Sequence, residues 1–288
     1  MKRGQFSDKE IGDVFAKWNN GVLDSFLIEI TRDIMYFNDP TDGKPLVEKI
    51  LDTAGQKGTG KWTAINALDL GMPVTLIGEA VFSRCLSAIK DERVKASTVL
   101  TGPSVEGESP IKDKQKFVDD LEQALYASKI ISYAQGFMLI REAAKEYGWK
   151  LNNPAIALMW RGGCIIRSVF LGEITAAYRE NPDLENLLFH PFFNKAVIKA
   201  QQGWRSTIGK AVEYGVPVPA FSTALSFYDG YRSAQLPANL LQAQRDYFGA
   251  HTFQVLPGQE NDFLKKDQWI HVNWTGRGGN ISASTYDA

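Results

Sequence analysis

The sequence predicts an all-α protein with long central helices and an extended C-terminal tail. In segment after segment, apolar residues recur at the three- and four-residue spacing of helices, whereas alternation with a period of two is absent over any convincing length. Capping residues and prolines precede these segments, and glycines follow them. We therefore expect little or no β-sheet.

The first part of the chain carries start and stop signals for several helices. Ser7 and Glu10 match the capping box, in which each side chain accepts a hydrogen bond from the other residue's backbone N–H. A short helix before Gly55 would place Leu46, Ile50 and Leu51 on one stripe. The helices expected here run approximately from Ser7 to Asn20, Leu23 to Phe37, Pro45 to Ala54 and Val74 to Ala96.

The longest helical pattern extends from Asp113 to Gly148 and contains no proline. Phe117, Leu121 and Leu125 repeat at intervals of four residues, which places them on one face of a helix. At about 1.5 Å per residue this helix would be roughly 50 Å long, enough to span a whole domain.

Prolines and glycines mark the later helices. Asn153-Pro154 and Asn181-Pro182 each resemble an N-cap followed by a proline at the first helical position, so each is expected to open a helix. Further helices are expected from about Pro191 to Tyr214 and from about Pro237 to Phe248, the second closed by Gly249.

Composition and charge exclude several classes of protein. A chain of 288 residues with 44% hydrophobic residues is long and apolar enough to fold, and its formal charge of −1 gives no overall attraction to nucleic acid or anionic membranes. No apolar run approaches the about 18 residues of a membrane span. Cys85 and Cys164 lack metal-ligand spacing, which predicts no metal site and a reducing, cytoplasmic compartment.

The composition changes after Pro257-Gly258, which suggests a division into an all-helical domain, residues 1–257, and a tail, residues 258–288. The tail is rich in Gly, Ser and Thr but contains Trp269 and Trp274. Either it is a frayed terminus, or its tryptophans dock on another surface, such as a second subunit.

The run Gly55–Trp62 places three glycines and two lysines within eight residues, where an anion could lie against the backbone. It matches the P-loop pattern G-x-x-x-x-G-K-[ST] except at its last position. There Trp62 replaces the Ser or Thr whose hydroxyl ligates Mg²⁺ in a P-loop. The same glycines fail as a dinucleotide-binding fingerprint, because the sixth position is Thr63 and no strand precedes them. Taken alone, the run is best interpreted as a surface turn with solvated lysines.

Three further basic residues each have an ordinary explanation when considered singly. Arg84 falls in the middle of a predicted helix, where a salt-bridged surface arginine is common. Arg245 falls in the last turn of a helix, where the helix dipole favours a cation. His251 could be a structural histidine.

Four runs, in order and spread over nearly the whole chain, resemble the helical C-terminal domain of the decarboxylating 6-phosphogluconate dehydrogenases. They are Ala54–Thr63, Ile77–Leu86, Arg245–Thr252 and His271–Gly279 with the Ser- and Thr-rich end that follows. Together they are far more specific than the glycine run alone.

The resemblance implies that Lys57, Thr59 and Arg84 bind the phosphate of 6-phospho-D-gluconate. It also implies a homodimer in which Arg245 and His251 reach the same substrate from the other subunit, Arg245 at the phosphate and His251 at the sugar acid. A phosphate dianion needs several converging donors, and charge-assisted hydrogen bonds contribute about 1.5–3 kcal/mol each.

In the family the tail passes through the partner subunit and its end touches the coenzyme. The resemblance therefore implies NADP as the cofactor, with the residues near it being Ala283, Ser284, Thr285 and Tyr286.

The family's N-terminal dinucleotide-binding (Rossmann) domain has no counterpart in these 288 residues, and neither has the segment with the catalytic lysine and glutamate. Lys61 and Glu79 do not match that motif, so we expect no catalytic residue in this chain, which looks like a fragment, an isoform or an incomplete gene model.

The resemblance implies an oxidoreductase that decarboxylates 6-phospho-D-gluconate to ribulose 5-phosphate and CO₂ with NADP, in the pentose phosphate pathway. Alone, this chain is expected to be inactive. One alternative is a non-catalytic helical protein that dimerises with, or regulates, the full-length enzyme, and another is the disfavoured P-loop ATPase.

Overall fold

The computed structural model describes residues 1–103 and 111–274. Within those residues it contains eleven α-helices and no β-strand, which confirms the all-α prediction. The helices are α1 Asp8–Trp18, α2 Phe26–Tyr36, α3 Thr59–Asp69, α4 Thr75–Ala88, α5 Lys90–Val99, α6 Lys114–Tyr147, α7 Asn153–Arg161, α8 Phe170–Glu180, α9 Pro191–Glu213, α10 Pro219–Tyr231 and α11 Ala238–Gly249. Short 3₁₀ turns occupy Lys2–Gly4, Leu46–Lys49 and Leu187–Phe189.

The chain divides into two compact units, one from Met1 to Tyr228 and one beginning at Asp229. The first unit is organised on α6, whose predicted bounds are confirmed. Asp113 caps its start by accepting from the Lys116 N–H at 2.9 Å, and Gly148 ends it in the left-handed conformation. None of the helices in the described part of the chain is long and apolar enough to cross a bilayer.

The main hydrophobic core forms where α6 packs against α8 and α9. Trp204 and Phe193 of α9 and Phe170 of α8 are almost completely buried there. Polar contacts join the same helices, since Ser206 of α9 donates to the buried Asp120 carboxylate of α6 at 2.8 Å. Full burial of such large aromatic side chains makes this core the principal source of stability in the first unit.

A smaller core joins α1 and α2 to the beginning of α6, with Trp18, Leu23 and Phe117 buried in it. The capping box of α1 is confirmed: the Glu10 N–H donates to Ser7 Oγ at 3.2 Å, and the Ser7 N–H donates to Glu10 Oε2 at 2.7 Å.

Two expected helices in the first part of the chain are wrong. The helix expected from Pro45 to Ala54 is only the 3₁₀ turn Leu46–Lys49; Ile50 and Leu51 stay 61% and 65% exposed, so burial of an apolar stripe does not stabilise a helix there. The expected helix from Val74 to Ala96 is two helices, α4 and α5, since Ile89 leaves the helical conformation with ψ of 52°.

Of the two helix starts predicted from an asparagine followed by a proline, one is shifted by a residue and the other is wrong. Asn152, not Asn153, caps α7, and it accepts from the Ala155 N–H at 3.1 Å. Asn181 ends α8 instead of opening a helix, because its side chain accepts from the Asp183 N–H at 3.1 Å in a local turn. The helices α3, α8 and α10 lie where no helix was predicted.

Candidate functional site

The predicted anion-binding run lies in the first unit, as a loop that leads into α3. Lys57 is exposed in this loop, and Thr59 is the first residue of α3. No side chain caps this end of α3. The first backbone N–H groups of a helix carry a partial positive charge and are oriented to bind an anion.

Arg84 of α4 reaches the same loop, where its guanidinium Nη2 donates a hydrogen bond to the carbonyl oxygen of Gly55. That carbonyl lies two residues before Lys57 in the sequence. Helix α4 approaches α3 closely, since a Cβ on Gly60 would lie 2.8 Å from a methyl carbon of Val81. The structure thus brings Arg84 to the loop that carries Lys57 and leads to Thr59.

A set of polar contacts that the sequence did not reveal fixes the beginning of this loop. The Asp52 carboxylate accepts from Lys90 at 2.5 Å and from Arg93 at 3.1 and 3.2 Å, and the Ala54 N–H donates to Ser87 Oγ at 2.8 Å. The hydrogen bonds from Lys90 and then from Arg93 lower the pKa of Asp52 to about 2. We call Asp52, Ser87, Lys90 and Arg93 the loop latch.

The structure removes the P-loop interpretation of the glycine run. A P-loop follows a buried strand, whereas residues 50–57 form an exposed, irregular segment after a 3₁₀ turn. Trp62, at the position where the P-loop hydroxyl would stand, is 64% exposed on α3.

Arg245 and His251 lie in the second unit, at the end of α11. Arg245 is exposed, and its guanidinium Nη1 donates to Gln242 Oε1 at 3.0 Å. The His251 ring lies against Gly249, where an added Cβ would come within 2.8 Å of two ring atoms, and it meets the Phe248 ring edge-on. The absence of a side chain at Gly249 therefore allows the imidazole to fold back on the helix end.

A buried carboxylate that no local sequence pattern reveals follows Arg245 directly in the chain. Asp246 is fully buried and accepts hydrogen bonds from the Thr252 N–H, the Val272 N–H, His271 Nδ1 and Trp274 Nε1, at 2.9–3.0 Å. Burial acts to raise the pKa of Asp246, but these hydrogen bonds outweigh burial and lower it. A carboxylate with so many donors remains ionised.

Part of the segment expected to form a docking tail is anchored in its own unit. Residues 253 and 270 pair through backbone hydrogen bonds, and Trp274 is held by Asp246. Trp269 remains 65% exposed. Ala283, Ser284, Thr285 and Tyr286 lie outside the described residues, so their contact with a coenzyme stays a prediction.

The five predicted substrate residues therefore form two groups, one in each compact unit. Their joint binding of one phosphate stays a prediction. Within residues 1–103 and 111–274, no three His, Cys, Asp or Glu side chains cluster as metal ligands would.

Comparison with known proteins gives matches over essentially the whole chain. The sequence model of the family described as 6-phosphogluconate dehydrogenase, C-terminal domain, matches residues 1–274. The chain is 80% identical to 6-phosphogluconate dehydrogenase, decarboxylating, of Candida albicans, and 78% identical to 6-phosphogluconate dehydrogenase, decarboxylating 1, of Saccharomyces cerevisiae.

Both alignments cover all of this chain but 56% and 59% of those relatives, so it spans a little over half of their length. Among solved structures, Plasmodium falciparum 6-phosphogluconate dehydrogenase superposes with a TM-score of 0.88 at 40% sequence identity. That match covers 94% of this chain and 56% of the other. The Plasmodium enzyme is described in its apo form, with NADP⁺ and with 6-phosphogluconate.

Proposed function

The chain belongs to the 6-phosphogluconate dehydrogenase family, and from this we propose that it is the substrate-binding and dimerisation part of a decarboxylating 6-phosphogluconate dehydrogenase. The proposed reaction oxidises 6-phospho-D-gluconate with NADP⁺, and the resulting β-keto acid loses CO₂ to give ribulose 5-phosphate in the pentose phosphate pathway. The observation that carries the proposal is the placement of Arg84 at the loop of Lys57, in a chain of this family.

Lys57, Thr59 and Arg84 suit a phosphate dianion. The start of α3 offers backbone donors and the Thr59 hydroxyl, while Lys57 and Arg84 supply positive charge. The Arg84 guanidinium is planar with five N–H donors, so it can hold the Gly55 carbonyl and still donate to phosphate oxygens. The loop latch supports the site by holding the segment that leads to Lys57.

We assign Arg245 and His251 to the substrate bound by a second copy of the chain, with Arg245 at the phosphate and His251 at the sugar acid. Exposed apolar side chains support a homodimer. Helix α3 presents Trp62, Ile65 and Leu68, and α4 presents Phe82 and Leu86, at spacings that place each set on one side of its helix.

We propose NADP as the coenzyme, because the Plasmodium relative is described in complex with NADP⁺. Ala283, Ser284, Thr285 and Tyr286 are the residues assigned to it. When bound, the nicotinamide accepts the hydride released on substrate oxidation. We infer a reducing, cytoplasmic compartment, which the free thiols of Cys85 and Cys164 support.

Direct binding measurements test the proposal. Calorimetric titration of the chain with 6-phosphogluconate should show binding, and titration with Mg-ATP should show none. Lys57→Ala should weaken binding of the sugar phosphate, whereas Lys150→Ala, which removes an exposed lysine after α6, should leave it unchanged. Absence of 6-phosphogluconate binding would favour the alternative of a non-catalytic dimerisation partner.

The dimer is tested separately by sedimentation. We expect the mass of two chains, and Phe82→Ser should shift the equilibrium towards one, because it removes an exposed apolar group from α4. A monomer at all concentrations would contradict a site shared between copies.

A further inference from the structure

Asp246 is fully buried, charged and bonded to two separate segments of the chain, yet the proposed function gives it no task. We propose that Asp246 is a positioning residue, which holds His251 and Arg245 in the geometry that binds the anionic substrate. The inference rests on the proposed function, because it takes Arg245 and His251 as substrate residues.

The first support is the backbone on either side of His251. Ala250 and Thr252 both have left-handed conformations, with φ of 50° and 59°. Residues with a Cβ disfavour that conformation, so the turn needs a further contact to hold it. The hydrogen bond from the Thr252 N–H to Asp246 Oδ1, at 2.9 Å, is such a contact, and it is adjacent to His251.

The second support is the link to the segment 271–274. His271 Nδ1 shares Oδ1 of Asp246 with the Thr252 N–H, while the Val272 N–H and Trp274 Nε1 donate to Oδ2. Both carboxylate oxygens therefore have two donors each. One side chain joins the end of α11, the turn of His251 and residues 271–274 of the tail segment.

The third support is that only a carboxylate satisfies this set of donors. An asparagine at position 246 would present one oxygen and one NH₂ group, and the NH₂ group would face donors instead of acceptors. The turn around His251 would lose its anchor or shift to avoid the clash.

The charge makes the test decisive. Asp246→Asn removes a negative charge next to Arg245 in the sequence, and Coulomb's law alone predicts slightly tighter binding of an anion. The positioning role predicts weaker binding of the anion instead. We expect the affinity of the chain for 6-phosphogluconate to fall about tenfold, corresponding to about 1.4 kcal/mol.

Three variants separate the possible outcomes. Asp262→Asn makes the same chemical change at an exposed site of the same unit and should not alter affinity. Arg245→Ala tests the proposed function itself. If Arg245→Ala binds normally, the proposed function fails; if it binds weakly while folded Asp246→Asn binds normally or more tightly, the positioning role fails.

The chain has only three histidines, which allows a spectroscopic readout. In the wild type, the imidazole resonances of His251 should shift on addition of 6-phosphogluconate, and those of His190 in the first unit should not. In Asp246→Asn the His251 shift should be lost while His190 keeps its wild-type position, whereas general unfolding would move both. An unchanged His251 response would overturn the inference.

Trp274→Phe covers the case in which Asp246→Asn does not fold. It removes one donor and leaves three, so we expect a folded protein and a smaller loss of affinity, of about two- to threefold. Wild-type affinity together with a wild-type His251 response in this variant would also count against the proposal.

Discussion

The helix pair α6 and α9 and the layer α3 to α5 belong to the same compact unit, but they are stabilised in different ways. Twelve residues of α6 are buried, whereas α3 buries only Ala67, and α4 and α5 bury none. The first pair is held by packing of large apolar side chains. The second layer is joined to α6 by the Gln135 side chain, which accepts from the Leu76 N–H at 3.0 Å and donates to Thr75 Oγ1 at 2.9 Å, while the loop latch and Arg84 hold only its loop.

This difference agrees with the location that we propose for the substrate site. A site that admits a charged sugar phosphate needs exposed polar groups, and the residues that we propose for it belong to the layer with little burial of its own. The apolar side chains that this layer leaves in solvent, such as Leu68 at 82% exposure, are the ones that we propose a second copy covers.

The largest effect is expected in the core. Phe170→Ala should lower the free energy of unfolding by about 3–5 kcal/mol, because the ring is 2% exposed and packs against Tyr126, Tyr133 and Phe193. Chemical denaturation at low protein concentration measures this loss. Val99→Ala on α5, where the side chain is 71% exposed, is the control and should cost less than about 1 kcal/mol. Equal losses would show that the two regions do not differ in the way described.

The next largest effect is expected in the layer α3 to α5, where one substitution should change substrate affinity but not stability. Arg84→Ala should weaken 6-phosphogluconate binding about 10- to 100-fold, or about 1.4–2.8 kcal/mol, with little change in unfolding. Arg179→Ala, which removes an exposed arginine at the end of α8, is the control for loss of one positive charge. Equal affinities of the two variants would show that Arg84 only braces the loop.

A third prediction concerns Lys129, whose amino group lies among the core helices. Burial lowers the pKa of Lys129 on α6 from 10.5 to about 8, so its charge destabilises the fold. Lys129→Met should therefore stabilise the protein by about 1–2 kcal/mol at pH 7. The variant removes the hydrogen bond that Lys129 Nζ donates to Ser168 Oγ at 2.6 Å, but Ser168 keeps its bonds to the Asp24 carbonyl and the Phe170 N–H.

The pH dependence of this effect follows from the sign of the shift. Below about pH 8 Lys129 is protonated in both the folded and unfolded states, and the full cost is present. Between pH 8 and 10.5 the unfolded state binds more protons, so wild-type stability rises with pH and the advantage of Lys129→Met shrinks. Denaturation curves at pH 7 and pH 10 measure this; a constant advantage would contradict the buried-charge explanation.

The smallest effect concerns the loop latch. Asp52→Asn should weaken 6-phosphogluconate binding only about threefold, since the ion pairs are exposed and individually weak. Because the folded pKa of Asp52 is about 2, the latch is complete above about pH 4 and is lost as the pH falls towards 2. Affinity should thus be insensitive to Asp52 titration between pH 5 and 8. Asp91→Asn at the exposed start of α5 is the matched control.

The sequence by itself determined the features that depend on neighbouring residues. The all-α class, the capping box at Ser7, and the helix from Asp113 to Gly148 all follow from periodicity and caps, whose energetics act within one or two turns. The four runs that resemble the family were also sufficient to identify it, as the match to residues 1–274 shows.

Only the tertiary structure decided the features that depend on distant partners. The segment Pro45–Ala54 has a helical pattern, but the cations of Lys90 and Arg93 hold Asp52 in an irregular loop, and no apolar surface covers Ile50. Asp246 looks like any helical aspartate until residues 271–274 fold onto it. The physical reason is that burial and charge pairing are properties of groups far apart in the chain, and no local pattern encodes them.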